Sequence, residues 1–186
     1  MFSLKRQVLV GFFVTLAAIP SSVSQSPSSW ECWEGTDLHC YSPNAKGDDI
    51  DKIDLDEVAY NANIWRGWSE EGPAFYTMPA RKNRSEPCQE WMVPEQIGST
   101  LVLAKHMDMG INSSVSFADI ATTIDGGADA TEVQKLNKSL LGCPYGGQFA
   151  VQVNASDPVY GSEEYKATGG VPRFILIKVV KPKAKA

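Results

Sequence analysis

The chain predicts a single, disulfide-stabilised α+β domain with about three helices and a largely antiparallel sheet. Three observations carry this. Capping patterns precede apolar stretches of helical period at three places. Short apolar or alternating runs recur between them without a repeated βα unit. Four cysteines, Cys32, Cys40, Cys88 and Cys143, follow an N-terminal stretch laid out for an oxidising compartment.

That stretch is residues 1–24. Lys5 and Arg6 form a short positive region, the run from Val8 to Ile19 is apolar, and Pro20 breaks it. Ser22-Val23-Ser24 then offers small residues before a cleavage point, the layout of a secretory signal peptide. A run of about a dozen residues is shorter than the roughly 20 a membrane span needs, so cleavage after Ser24 and release are expected. No later apolar stretch approaches membrane length, and no membrane anchor is expected. Loss of Lys5 and Arg6 moves the formal charge from −5 to −7. So acidic a chain lacks the basic face that releases counterions from phosphates, and no nucleic-acid partner is expected. Lys178, Lys181, Lys183 and Lys185 read as a solvated basic end, of which residues 182–186 form a flexible tail.

Residues 25–52, rich in Ser, Pro, Gly and Asn, read as an irregular segment tethered by disulfides, and residues 53–181 as the α+β core. Asp54 and Glu57 form a capping box for a first helix over residues 55–64, with a turn over residues 65–71. Residues 74–78 (AFYTM), 90–93 (EWMV) and 100–104 (TLVLA) follow as short strands. Residues 116–119 (SFAD) start a second helix with Phe117, Ile120 and Ile124 on one face, ended by Gly126-Gly127. Residues 129–132 (DATE) open a third, whose core stripe is Val133, Leu136 and Leu140 and whose C-cap is Gly142. Residues 148–153 read as a half-buried strand, and residues 173–180 (RFILIKVV) as a central or core-facing one.

Four cysteines in an oxidising compartment make two disulfides, with three pairings open. Cys32–Cys40 with Cys88–Cys143 is the preferred pairing, and pairing Cys32 with Cys143 would instead tie the N-terminal segment to the core. A zinc site lacks its CxxC, so no metal is expected. Asn83, Asn112, Asn137 and Asn154 each open an Asn-x-Ser glycosylation triplet.

Catalytic signatures are sparse. The chain has 2 histidines, His39 and His106. Together with Glu90 or Arg66 they would supply the acid and base of a ribonuclease-like hydrolase if the fold joined them. No Gly-x-Ser-x-Gly or His-Glu-x-x-His pattern occurs. The acidic cluster from Asp48 to Glu57 fails the EF-hand pattern, since Ile53 and Asp54 stand where a ligand and a glycine belong. The glycine pairs carry no phosphate-loop spacing, and no cofactor is expected. Trp65, Trp68, Tyr76 and Arg81, within residues 65–84, are the candidate contact residues for a protein partner or a sugar.

Residues 90–131 (EWMVPEQIGSTLVLAKHMDMGINSSVSFADIATTIDGGADAT), the later GGQFAVQVNASDPVY and RFILIKVV, the signal peptide and the four cysteines together give a pattern. It resembles the small secreted, effector-like proteins of filamentous fungi. The resemblance implies a non-enzymatic role acting on a host protein, a cell-wall glycan or a defence response. The expected function is therefore a secreted binding protein of effector type. The alternatives are the small hydrolase using His39 and His106, and a carbohydrate-binding protein.

Overall fold

A computed structural model describes residues 32, 34–43, 51–81, 88 and 90–182 of the 186. The signal peptide, the Asn83 triplet, Asp48, Asp49 and the last four residues of the tail lie outside them.

The Asp54 carboxylate caps helix α1 (Leu55–Glu71), accepting from the Asp56 and Glu57 N–H groups at 3.0 and 3.1 Å. Glu57 does not reach back to complete a capping box. Its Oε2 instead accepts from the N–H groups of Ser99 and Thr100 at 2.7 and 3.0 Å. The Asp54 N–H donates to Thr100 Oγ1 at 3.1 Å, so the start of α1 clasps the loop entering strand β4 (Leu101–His106). Gly98 is required in that loop. Its φ is +95°, and a Cβ there would lie 2.2 Å from the Glu57 carboxyl carbon.

Helix α1 continues through the expected turn at residues 65–71. A Cβ on Gly67 would meet nothing within 4 Å, so this glycine interrupts no packing and costs only about 1 kcal/mol of helix propensity. Burial offsets that cost. Trp65 is fully buried with its Nε1–H donating to the Pro94 carbonyl at 2.9 Å, and Trp68 packs edge-on against Phe117 with ring centroids 4.9 Å apart.

The main sheet has five antiparallel strands in the order β1 (His39–Cys40), β6 (Gly147–Ala150), β7 (Ile175–Val180), β4 and β3 (Glu90–Met92). Strand β7 lies at its centre, as its apolar run predicts. A second, two-stranded sheet pairs β2 (Phe75–Met78) with β5 (Ser113–Ser116). Strand β5 was not foreseen. Its sequence is SSVS, and serine usually signals a turn, yet all four residues are buried. The short strand β1 and a helix at Glu163–Ala167 are further additions.

Helix α2 (Phe117–Asp125) matches expectation. The Ser116 hydroxyl accepts from the Asp119 N–H at 3.0 Å, and Gly126 closes the helix in the left-handed region with φ +86°, its N–H donating to the Thr122 carbonyl at 2.7 Å. The core gathers α1, α2 and one sheet face, with Val58, Ala62, Trp65, Ile120, Ile124, Val102, Ala104, Ile177 and Val179 fully buried.

Helix α3 (Glu132–Lys138) departs from its expected packing. Thr131, not Asp129, is its N-cap and forms the box with Gln134. Val133 and Leu136 are exposed, and of the expected stripe only Leu140 is buried, in a 3₁₀ turn spanning Leu140–Gly142. Gly142 is not a left-handed C-cap. That turn folds back on α3 so closely that a Cβ on Gly142 would lie 1.9 Å from the Leu136 carbonyl oxygen.

Two disulfides form, in the pairing the sequence did not favour: Cys32–Cys88 and Cys40–Cys143, with Cα separations of 5.8 and 5.0 Å. Strand pairing explains it. Cys40 lies opposite Gly147 across β1 and β6, and Gly147 follows Cys143 within a tight turn. Glu90 lies opposite Lys105, so the β3–β4 register carried two residues further brings Cys88 to Met107. The Met107 carbonyl accepts from the Cys32 N–H at 2.9 Å, which places the two thiols together.

Candidate functional site on the outer sheet face

Alternation along the strands divides the main sheet into two faces. Val102, Ala104 and His106 of β4 point into the core, whereas Leu101, Leu103 and Lys105 point outward and are half-buried. By register, one outward row crosses all five strands: His39, Gln148, Lys178, Leu103 and Met92. A second row carries Leu176, Lys105 and Glu90.

Four charged side chains meet on this face. Lys178 reaches across β4 to Glu90 Oε1 at 2.5 Å and donates to Glu34 Oε1 at 2.9 Å, and Lys105 donates to the same Glu34 oxygen. Tyr41 stands beside them, its hydroxyl donating to Gln148 Oε1 at 3.2 Å. Burial alone would raise the Glu34 pKa, but the hydrogen bonds and charges of Lys105 and Lys178 outweigh it and hold it below the ordinary carboxylate value. Burial would lower the Lys178 pKa, and Glu90 and Glu34 together hold it above the ordinary lysine value. The Tyr41 phenol is pushed up, chiefly by burial.

Lys178 therefore belongs to the central strand and not to the basic end. The sequence carried a signal for it, since a lone lysine in an apolar strand marks the position where the pleat turns outward. Met92, 58 % exposed, stands on the same face. Just before β7, Phe174 holds a left-handed backbone at φ +66°, is partly exposed, and lies under the Arg173 guanidinium at 4.8 Å.

The two histidines are not brought together. His39 is exposed in β1 on the outer face. His106 is buried on the core side of β4, three strands away, or roughly 14 Å at the usual strand spacing. Its Nε2 is 2.9 Å from Ser113 Oγ in β5. Glu90 shares a face with His39 but is committed to Lys178, and Arg66 is clamped by both carboxylate oxygens of Asp125 at 2.8 Å.

Burial pushes the His106 imidazole below its ordinary value; nearby Asp108 opposes this and Arg81 adds to it. Below about pH 6.5 the unfolded chain then binds a proton that the folded one refuses. His106 therefore leaves stability intact above about pH 6.5 and removes it as pH falls from there through the lowered folded value. Thermal unfolding followed by circular dichroism should show this loss in the native protein, and His106→Gln should reduce it.

The expected contact set is also redistributed. Trp65 and Tyr76 are core residues, Trp68 packs against Phe117, and Arg81 lies over the Trp91 ring at 5.6 Å. The stretch over residues 65–84 cannot present Trp65 or Tyr76 to a partner. Burial pushes the Tyr76 phenol up to about 12, and its hydroxyl has no hydrogen-bond partner among the described residues. Among the described residues no helix is long and apolar enough to cross a membrane.

The architecture defines a single-domain, disulfide-bonded α+β protein. Compared with protein-family models, with curated proteins and with solved structures, the chain matches none.

Proposed function

We propose that this is a secreted binding protein of effector type, acting on a host target outside the producing cell by contact and not by turnover. The outer face of the five-stranded sheet is its contact face. The observation that carries the reading is the chain of ion pairs through Glu34, Lys105, Lys178 and Glu90. A general acid or base works best with its pKa near the operating pH. These pairings drive Glu34 down and Lys178 up, so each stays charged through the neutral range. What such a face offers is a fixed charge pattern on rigid strands, which sets register and selects partners. Exposed Met92 and the Arg173–Phe174 pair add the apolar and guanidinium contacts that dominate binding energy.

A face patterned by paired charges suits a host protein, whose own charges can complement it, better than a neutral cell-wall glycan. Secretion is supported by the two disulfides and by the pattern of residues 1–24. The ribonuclease-like alternative is disfavoured by the separation of His39 from His106. Purified secreted protein should release no soluble product from RNA, and His106→Gln, on the core side of the sheet, should keep full activity in a host-response assay. RNA cleavage that disappears in His39→Ala would restore the hydrolase reading.

A further inference from the structure

Helix α3 has no buried residue, and its apolar pair Val133 and Leu136 is 67 % and 59 % exposed. At 3.6 residues per turn, Leu136, Val133 and Asn137 fall in succession within an arc of about 100°. Lys135 lies on the opposite side, its Cα 3.6 Å from where a Cβ on Gly126 would stand, at the end of α2. Asn137 thus stands one turn beyond Val133, and beside Leu136, on the face turned away from the domain. It opens the triplet Asn137-Lys138-Ser139 and is exposed.

The two other described triplets differ. The Asn112 side chain ties two segments together, accepting from the Ala80 N–H at 2.7 Å and donating from Nδ2 to the Gly169 carbonyl at 3.4 Å. A group added at that Nδ2 would press on the Gly169 backbone. Asn154 Oδ1 accepts from the Ser156 N–H at 3.3 Å within a turn.

We infer that Asn137 carries an N-linked glycan and that this glycan covers the apolar face made by Val133 and Leu136. Helical side chains lean toward the helix N-terminus, so a chain attached at Asn137 runs back over the preceding turn, where Val133 sits. The first sugars of an N-linked glycan are pyranose chairs whose ring faces carry axial C–H groups, while their hydroxyls lie equatorially around the edge. They cover an aliphatic pair while staying wet outside.

The donor is a lipid-diphosphate-linked oligosaccharide. A bond forms between Asn137 Nδ2 and the sugar C1, the C1–O bond to the diphosphate breaks, and the lipid diphosphate leaves. The amide proton passes to the transferase. Ser139 is fully buried, with its hydroxyl donating to the Lys135 carbonyl at 2.6 Å, so its side is closed once α3 has formed. Transfer therefore precedes folding of α3. The inference rests on the secretion proposed above.

The full chain should be produced in a eukaryotic secretory host and mapped by glycopeptide mass spectrometry. Asn137 is expected to be occupied in the released protein. Enzymatic removal of the glycan from folded protein, and separately Asn137→Gln, should raise fluorescence of an apolar dye several-fold. Adding Val133→Glu and Leu136→Lys to Asn137→Gln should return it to the native level. A released protein with Asn137 bare, or one whose dye binding ignores deglycosylation, overturns the inference alone. A chain retained in the cell without any glycan overturns the secretion reading and the inference with it.

Discussion

Replacing Cys40 and Cys143 together by serine is expected to cost about 4–5 kcal/mol, the loop-entropy value for closing about 100 residues. The two cysteines are 103 positions apart. For a chain of this size that loss corresponds to a fall in melting temperature of roughly 10–20 °C. It is a large share of the about 5–15 kcal/mol by which domains are ordinarily stable. The bond is well placed to matter. Cys40 belongs to the edge strand β1 and Cys143 to the turn after α3, so it ties that edge to the helical layer. Thermal melts of the native protein and the double variant, both without reductant, measure the effect directly, and intact melting of the double variant would contradict it. The other bond spans 56 positions and interleaves with the first in sequence, so each closes a shorter effective loop while the other is intact, and losing both should cost more than the sum of the separate losses.

Trp65→Ala is the second large effect, at about 3–5 kcal/mol. This side chain is fully buried where α1 meets the β3–β4 loop, and its indole N–H satisfies the Pro94 carbonyl at 2.9 Å. Truncation opens a cavity and strands that carbonyl together. Trp65→Phe separates the two terms. It keeps most of the apolar volume and leaves the carbonyl unpaired, a cost of about 1–3 kcal/mol. Chemical denaturation of the three proteins gives both values. If Trp65→Ala proved as stable as the native protein and lost host activity, the residue would be a contact residue and not a core one.

These two cases also show what was legible before the fold was known. Local signals read well. Asp54 and Ser116 cap their helices because a short polar side chain before an apolar period has a purely local effect, and Gly126 ends α2 for the same reason. The apolar run of β7 placed it at the sheet centre. What depended on distant partners did not read. Glu57 has the spacing of a capping residue, but the Ser99 and Thr100 N–H groups across the domain hold it. Val133 and Leu136 have the period of a core stripe, yet no element of the described residues packs over them. The serines of β5 look like a turn until β2 supplies their ladder. The disulfide pairing followed strand register, which no spacing of cysteines reveals.

The candidate site was missed for a related reason. Glu34, Glu90, Lys105 and Lys178 come from four separate segments, and only the antiparallel register brings them to one face. The two histidines stand out in the sequence because they are scarce, and scarcity says nothing about which side of a strand a residue faces. His106 went inward and His39 outward.

The central claim, contact through the outer sheet face, is tested most directly by Met92→Glu. Met92 is exposed, so the variant should melt with the native protein. A dose–response comparison of purified native protein, Met92→Glu and Tyr60→Ala, exposed on α1 away from the outer sheet face, decides the matter in host tissue. Loss of a contact worth about 1–2 kcal/mol raises the dose of Met92→Glu needed by roughly tenfold, while Tyr60→Ala acts like the native protein. Full activity of folded Met92→Glu would contradict the account.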